Sequence, residues 1–262
     1  MIRVKDVSFS YSNGSVLRSI SFEVKKKEFF CIAGSNGAGK TTLIRLLSRV
    51  FKPTSGVIEL NGKNIWYIPQ KEFAKRVSVV SQNPSFDFVR VREFVVLGRI
   101  PHFGRFQIFE SKEDKGKVER ALELCGLKNL ENNYMTQISG GERQLVFIAR
   151  ALATEPEVLL LDEPLSNLDI CHQEKILKLL VRLREEIGLT IVAVLHDLNV
   201  ASEFADCLML LGRGVIIKSG KPEDVIRVEY VSEAYSLKNP TIYKNPISSK
   251  PFLCICKTNH RS

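Results

Sequence analysis

Polar and apolar residues alternate over residues 2–9, with Ile2, Val4 and Val7 set against Arg3, Lys5 and Asp6. The pattern predicts a half-buried strand ending near Phe9. Ile20 to Val24 alternates similarly and predicts a partner for it, the two joined through Tyr11-Ser12-Asn13-Gly14, a turn that carries one aromatic. Phe29-Phe30-Cys31-Ile32-Ala33 is a short apolar run and reads as a buried strand. Directly behind it Leu43, Ile44, Leu46 and Leu47 recur at helical spacing. Val57 to Leu60, then Asn61-Gly62, then Lys63-Asn64-Ile65 is a hairpin signal. Arg76 to Ser81 predicts one more short strand, ending at Gln82.

From about Pro84 to Pro156 the pattern turns helical. Glu113 to Cys125 carries Val118, Ala121, Leu122 and Cys125 on one face, and a second helix opens at Ser139 and runs to about Ala153. Strand patterning returns at Val158 to Leu161 and at Thr190 to Leu195, with a long amphipathic helix over Asp169 to Ile187 between them. Two short strands, near 207–211 and 214–218, flank the turn Gly212-Arg213-Gly214. Strands alternating with helices predict an α/β core. An antiparallel patch surrounds its first half, and a helical segment is inserted at about 84–156.

Between the Phe29 strand and the Leu43 helix stand Gly34, Ser35, Asn36, Gly37, Ala38, Gly39, Lys40, Thr41 and Thr42. They match the phosphate-loop pattern at each fixed position, in the strand–loop–helix context that the pattern needs. Glycines let the backbone wrap closely and point N–H groups inward, and the helix N-terminus adds partial positive charge. Lys40 would neutralise the outer phosphates of a nucleoside triphosphate, and the Thr41 hydroxyl would ligate Mg²⁺. The apolar run Val158-Leu159-Leu160-Leu161 ends in two carboxylates, Asp162 and Glu163. Ligands of open parallel sheets bind at the C-terminal ends of strands, so Asp162 is a candidate Mg²⁺ ligand and Glu163 a candidate group for the attacking water.

The 262 residues are 44% hydrophobic and 26% charged, the balance of a globular chain, and no apolar stretch approaches the length of a membrane span. Strand-like alternation from Met1 argues against a signal peptide, so a cytoplasmic protein is expected. Six cysteines include four scattered singly, read as buried free thiols; Cys254 and Cys256 lack a partner pair for zinc. The formal charge of +9 invites nucleic acid or an anionic membrane surface as a partner. The basic residues are spread along the chain, however, and no helix-turn-helix or aromatic-basic interleaving accompanies them.

The order of these features resembles the ATP-binding-cassette (ABC) ATPases. A phosphate loop is followed by Gln82 after a strand, then by Ile138-Ser139-Gly140-Gly141-Glu142-Arg143-Gln144, then by the acidic strand, Ser166-Asn167-Leu168-Asp169 and His196. The resemblance covers roughly residues 1–220, with Ile138 where the family signature usually begins with leucine. It implies a P-loop NTPase core, a RecA-like mixed sheet with an antiparallel β patch, plus the inserted helical subdomain. Residues 1–220 would form the ATPase domain and 221–262 a short C-terminal extension. It further implies that Tyr11 stacks on adenine, that Gln82 contacts Mg²⁺ or water, that His196 contacts the γ-phosphate and that Asp169 lines a dimer seam. With Glu163, Gln82 and His196 are thus the expected catalytic residues, and Thr41, Gln82 and Asp162 the expected Mg²⁺ ligands.

The signature has its own physical content. Ser139-x-x-Glu142 is a capping box, which does not require Gly140 and Gly141, since each weakens a helix start by about 1 kcal/mol relative to alanine. Exposed N–H groups at a positive helix end make an anion site, which suggests the γ-phosphate of a second copy and a head-to-tail pair around two ATP molecules. A single cassette with no membrane span points to a separate permease. The run Val-x-Leu-Gly-Arg-x-Pro at 95–101 is similar to importers of ferric siderophores, haem and cobalamin. Those importers imply a substrate-binding protein, indirectly, and a peripheral location on the cytoplasmic face of the membrane. Nucleic acid is not expected as a partner. The alternative is a soluble ABC ATPase acting on nucleic acid or ribosomes, whose usual second cassette or coiled-coil insertion is missing here.

Overall fold

The first strand, Ile2–Tyr11, shows how the sequence pattern is carried into three dimensions. It pairs antiparallel with Gly14–Val24 on one side and with Ser55–Leu60 on the other. Ile2, Val4 and Val7 are all buried although Val4 and Val7 are three residues apart. A β-bulge at Lys5–Asp6, with Asp6 at φ 48°, resets the alternation and returns Val7 to the core face. Gly56 faces this bulge, where a Cβ would lie 2.4 Å from the carbonyl oxygens of Lys5 and Asp6.

The computed structural model describes residues 1–12, 14–81, 88–238 and 240–254. The chain divides into two units, residues 1–62 with 193–262, and residues 63–192. In the first unit Phe29–Ala33 is buried throughout and runs parallel to Cys207–Gly212, with Cys31 opposite Leu208 and Ala33 opposite Leu210. Cys207–Gly212 then turns back antiparallel into Val215–Gly220. Helix Lys40–Leu47 follows the phosphate loop and buries Leu43, Ile44, Leu46 and Leu47.

Beyond residue 220 the chain carries helices Pro222–Val225 and Val228–Tyr235 and a hairpin of Thr241–Lys244 with Pro251–Cys254. The hairpin is tied to helix Leu198–Phe204. The Asn199 amide accepts from Leu253 N at 2.7 Å and donates to Leu253 O at 3.1 Å, and Ser202 Oγ donates to Pro251 O at 2.8 Å. The sequence pattern pointed to none of these elements.

In the second unit Val77–Val80 runs parallel to Val158–Asp162, and Thr190–Val194 is the next strand in order. Around them stand helices Gln70–Arg76, Val91–Val96, Lys112–Leu124, Gly140–Ala153 and Ile170–Arg182. The helix expected over Glu113–Cys125 forms over Lys112–Leu124. Ser111 and Asp114 make its capping box, and Val118, Ala121 and Leu122 are its buried stripe. The long helix expected to reach Ile187 is α-helical to Arg182 and closes in a π-turn, Leu183–Ile187, before Gly188 at φ 74°. No helix among the described residues is long and apolar enough to cross a membrane.

The described cysteines, Cys31, Cys125, Cys171, Cys207 and Cys254, are free. Burial pushes the Cys125 thiol up to about 12 and Cys31 higher still. The expectation that the four single cysteines are all buried is corrected at Cys171. It stands in the first turn of the Ile170 helix and is exposed, because the buried face there starts at Ile176. Cys207, at the start of its strand, is half-buried.

Candidate functional site

The phosphate loop is shaped by three glycines, two of them in close contact with other segments. Gly34, Gly37 and Gly39 all have positive φ, at 151°, 77° and 102°. At Gly34 a Cβ would stand 2.0 Å from the carbonyl oxygen of Leu211, and at Gly39 it would stand 2.7 Å from a methyl of Leu17. Nothing approaches Gly37 within 4 Å, so that position is glycine for its backbone angle alone. Ala38 N–H closes the turn onto Ser35 O at 3.2 Å, and Leu43 N–H reaches Gly39 O at 2.9 Å to start the helix. Ser35 is half-buried, while Asn36 and Gly37 face solvent.

Lys40 is buried, with its ammonium donating to Gly34 O at 2.8 Å and Ser35 O at 2.9 Å. The lysine thus curls back over its own loop, its ammonium held by the Gly34 and Ser35 carbonyls. A lysine and a glycine-rich loop at a helix start make an arrangement that suits an anion. Thr41 is half-buried in the first helical turn and Thr42 is buried. Tyr11 lies at the end of its strand with its hydroxyl 3.4 Å from Thr42 Oγ1. Its ring meets Phe9 edge-on at 4.9 Å and Phe51 edge-on at 5.6 Å. That packing leaves 39% of Tyr11 exposed beside the loop helix.

His196 belongs to the same unit. Leu195 N–H donates to Ile32 O at 3.1 Å, so the segment that bears His196 runs beside the strand leading into the phosphate loop. His196 is exposed, and Asp197 caps helix Leu198–Phe204 by accepting from Asn199 N at 2.7 Å. One residue that sequence reasoning missed joins them. Tyr235, at the end of its helix, has a buried hydroxyl beside the Gly34 backbone. Burial pushes its pKa up to about 12, opposed in part by the neighbouring Gly34 backbone. Tyr235 lies outside any motif, so no sequence signal marked it.

In the second unit, Asp162 is buried at the end of Val158–Asp162. Glu163 follows at φ 54°, a left-handed conformation unusual for a non-glycine residue and common where a site holds strain. The turn is held by Ser166, whose N–H reaches Glu163 O and whose hydroxyl reaches Glu163 Oε2, each at 3.2 Å. Gln173, also missed, secures the next stretch by donating to Leu165 O and Leu168 O at 3.3 and 3.0 Å. Asp169 caps helix Ile170–Arg182, accepting from His172 N at 2.9 Å.

The signature helix, Gly140–Ala153, begins with the capping box that its sequence predicts. Glu142 N–H donates to Ser139 Oγ at 3.2 Å, and Glu142 Oε2 accepts from Ser139 N at 2.8 Å. These bonds from Ser139 hold the Glu142 carboxyl below its ordinary range. Gly140 is exposed, with nothing within 4 Å of where a Cβ would stand. Gln82 lies outside the described residues.

A glycine loop ahead of a buried lysine at a helix start in one unit, and in the other a strand that ends in a buried aspartate followed by a left-handed glutamate, are the features of phosphate-loop nucleotide-binding proteins. The ABC transporter family profile matches residues 17–166. The petrobactin import ATP-binding protein of Bacillus subtilis (strain 168) is 38% identical over 242 residues, 92% of this chain and 94% of that protein. The ferric enterobactin transport ATP-binding protein of Escherichia coli (strain K12) is 36% identical over 253 residues, 96% of this chain and 93% of that protein. Among solved structures, a dimeric bacterial ABC transporter cassette superposes with a TM-score of 0.73 at 31% identity, covering 84% of this chain and 98% of that one. The chain belongs to the ABC transporter family and has the α/β P-loop fold of its ATPase cassettes. It is an ATP-binding subunit that hydrolyses ATP.

Proposed function

We propose that this chain powers import of a ferric siderophore through a separate membrane permease. The observation that carries the reading is end-to-end similarity to ATP-binding proteins named for petrobactin import and ferric enterobactin transport. Residues 1–220 would act as the ATPase domain, with about 84–156 as its helical subdomain. Exposed Ile100, Phe106, Ile108 and Phe109 in the second unit support a docking surface there for the permease. An external binding protein would deliver the cargo, and the chain would sit on the cytoplasmic face of the membrane.

The reaction proposed is ATP hydrolysis to ADP and phosphate. Phosphoryl transfer asks chiefly for positioning and charge neutralisation. The 34–42 loop and Lys40 would hold the phosphates, Tyr11 would stack on the base, Glu163 would orient the attacking water and His196 would contact the γ-phosphate. Thr41, Asp162 and Gln82 carry the hard oxygen donors that suit Mg²⁺ and would hold it; when bound, it would supply charge neutralisation for the phosphates. Ser139, Gly140 and Asp169 would contact the ATP held by a second copy, a reading supported by the dimeric cassette structure.

A pull-down from gently solubilised membranes with tagged Glu163→Gln chain and ATP tests the assignment. Recovery of a polytopic membrane protein in equal amount is expected, encoded or expressed together with siderophore uptake. Recovery of nucleic acid or soluble factors alone would refute it.

A further inference from the structure

The two signature glycines are glycines for different reasons. Gly140 faces open space, whereas a Cβ on Gly141 would lie 1.9 Å from Cδ2 and 2.7 Å from Nε2 of the His172 ring. His172 therefore lies flush against the signature backbone. On its other side the same ring reaches Asp169, with Nδ1 at 2.9 Å from Oδ1 and 2.8 Å from Oδ2. An ionised carboxylate only accepts, so Nδ1 carries the proton. The backbone and ring hydrogen bonds of His172 together hold the Asp169 carboxyl below its ordinary range. The imidazole thus has a hydrogen-bonded edge toward Asp169 and a packed edge toward Gly141.

We propose that His172 is a positioning residue for ATP hydrolysis, its ring being the spacer that sets Asp169 at a fixed distance from the Ser139-Gly140-Gly141 turn. A capping aspartate needs only the helix N–H groups, and Asp169 already has that of His172. The ring bond adds a second, directional restraint on the same carboxylate. The glycine at 141 lets the ring come close enough to join the two segments. A larger residue at 141 would push the ring away and carry Asp169 with it. The inference rests on the reading that Ser139, Gly140 and Asp169 contact the nucleotide of a second copy.

Two isolated substitutions separate the ring's edges. His172→Asn keeps an N–H donor near the position of Nδ1 but leaves the Gly141 side empty. His172→Phe keeps the packed ring but removes the donor. Steady-state hydrolysis by the full chain is measured against ATP concentration, beside melting without nucleotide and a Ser139→Arg control. In each His172 variant kcat is expected to fall about tenfold, the loss of one oriented contact, with KM for ATP within about twofold. The melting temperature is expected to stay within about 2 °C. Unchanged kcat in both variants overturns the inference, as does a kcat loss that only follows a fall in melting temperature. If Ser139→Arg hydrolyses ATP normally, the second-copy reading fails and takes this inference with it. If Ser139→Arg is inactive while both His172 variants are fully active, the inference alone fails.

Discussion

Arg99 and Asp114 form a buried ion pair, Nε to Oδ1 at 2.9 Å, with both side chains almost wholly removed from solvent. Arg99 also donates through Nη1 to Ala153 O at 2.7 Å and to Glu155 Oε2 at 3.2 Å, and so closes the C-terminal end of the signature helix. Around it, Thr154 Oγ1 donates to Gly98 O at 3.0 Å and His102 Nε2 lies 2.9 Å from Thr154 O. A Cβ on Gly98 would lie 2.1 Å from Arg150 O, so the glycine lets the segment seat against the helix. The Leu-Gly-Arg-x-Pro run that resembled importers is therefore also a clasp on the signature helix.

Removing one partner of a buried pair leaves the other charge uncompensated. Arg99→Met is expected to destabilise the chain by about 3 kcal/mol, read from the denaturant midpoint at unchanged slope. Burial alone would raise the Asp114 pKa. Hydrogen bonds from Ser111, Arg99 and Gln107 outweigh it and hold the carboxyl far below the usual aspartate range. A depressed folded-state pKa contributes stability that is fully present above the unfolded value, about 3.9, and is lost as pH falls through the lower folded value. Asp114→Asn should accordingly lower stability at pH 7 and flatten its dependence below about pH 4. An acid limb as steep as that of the wild type would refute this.

Gly34 and Gly37 should respond differently to alanine. Gly34→Ala places a methyl 2.0 Å from Leu211 O, a backbone atom of a paired strand rather than a flexible side chain, and is expected to abolish ATP binding and lower the melting temperature sharply. Gly37→Ala meets no atom and strains only its φ of 77°, at a cost of about 1 kcal/mol. Nucleotide titration with thermal melting on both variants checks the contrast.

Glu163→Gln is expected to retain ATP binding and lose nearly all turnover, because it removes a carboxylate and leaves the phosphate loop untouched. Hydrolysis near the wild-type rate would show that a different group orients the water.

Ser139 has a structural duty and a proposed chemical one. Ser139→Ala should cost about 1 kcal/mol through loss of the cap. Ser139→Arg should abolish ATP-dependent dimerisation, measured by light scattering with Glu163→Gln in the background, while leaving ATP binding to the monomer intact. Dimerisation that survives Ser139→Arg would remove the signature from the interface.

Much of this protein was legible in its sequence because the relevant physics is local. The phosphate loop, the capping box at Ser139 and the strand ending in Asp162-Glu163 each depend on residues within a few positions of one another. A glycine's backbone freedom, a cap and an alternation of apolar side chains are properties of such short stretches. The bulge at Asp6 was not, since it arises where the alternation must be reset to keep Val7 on the core face, and neither was the π-turn after Arg182.

What only the tertiary structure decided are contacts between residues far apart in the chain. Sequence supplied two glycines at 140 and 141, but their different reasons emerge only when His172 arrives from another helix. It marked Gly-Arg-x-Pro, but the partners of Arg99, Asp114 and Ala153, come from two other segments. It left residues beyond 220 nearly blank, yet Tyr235 reaches the neighbourhood of Gly34 and the 241–254 hairpin holds the helix after His196. Short-range rules set which element forms and which chemistry it carries. The close approach of distant backbones, governed by packing and hydrogen-bond satisfaction, sets how those elements hold a site.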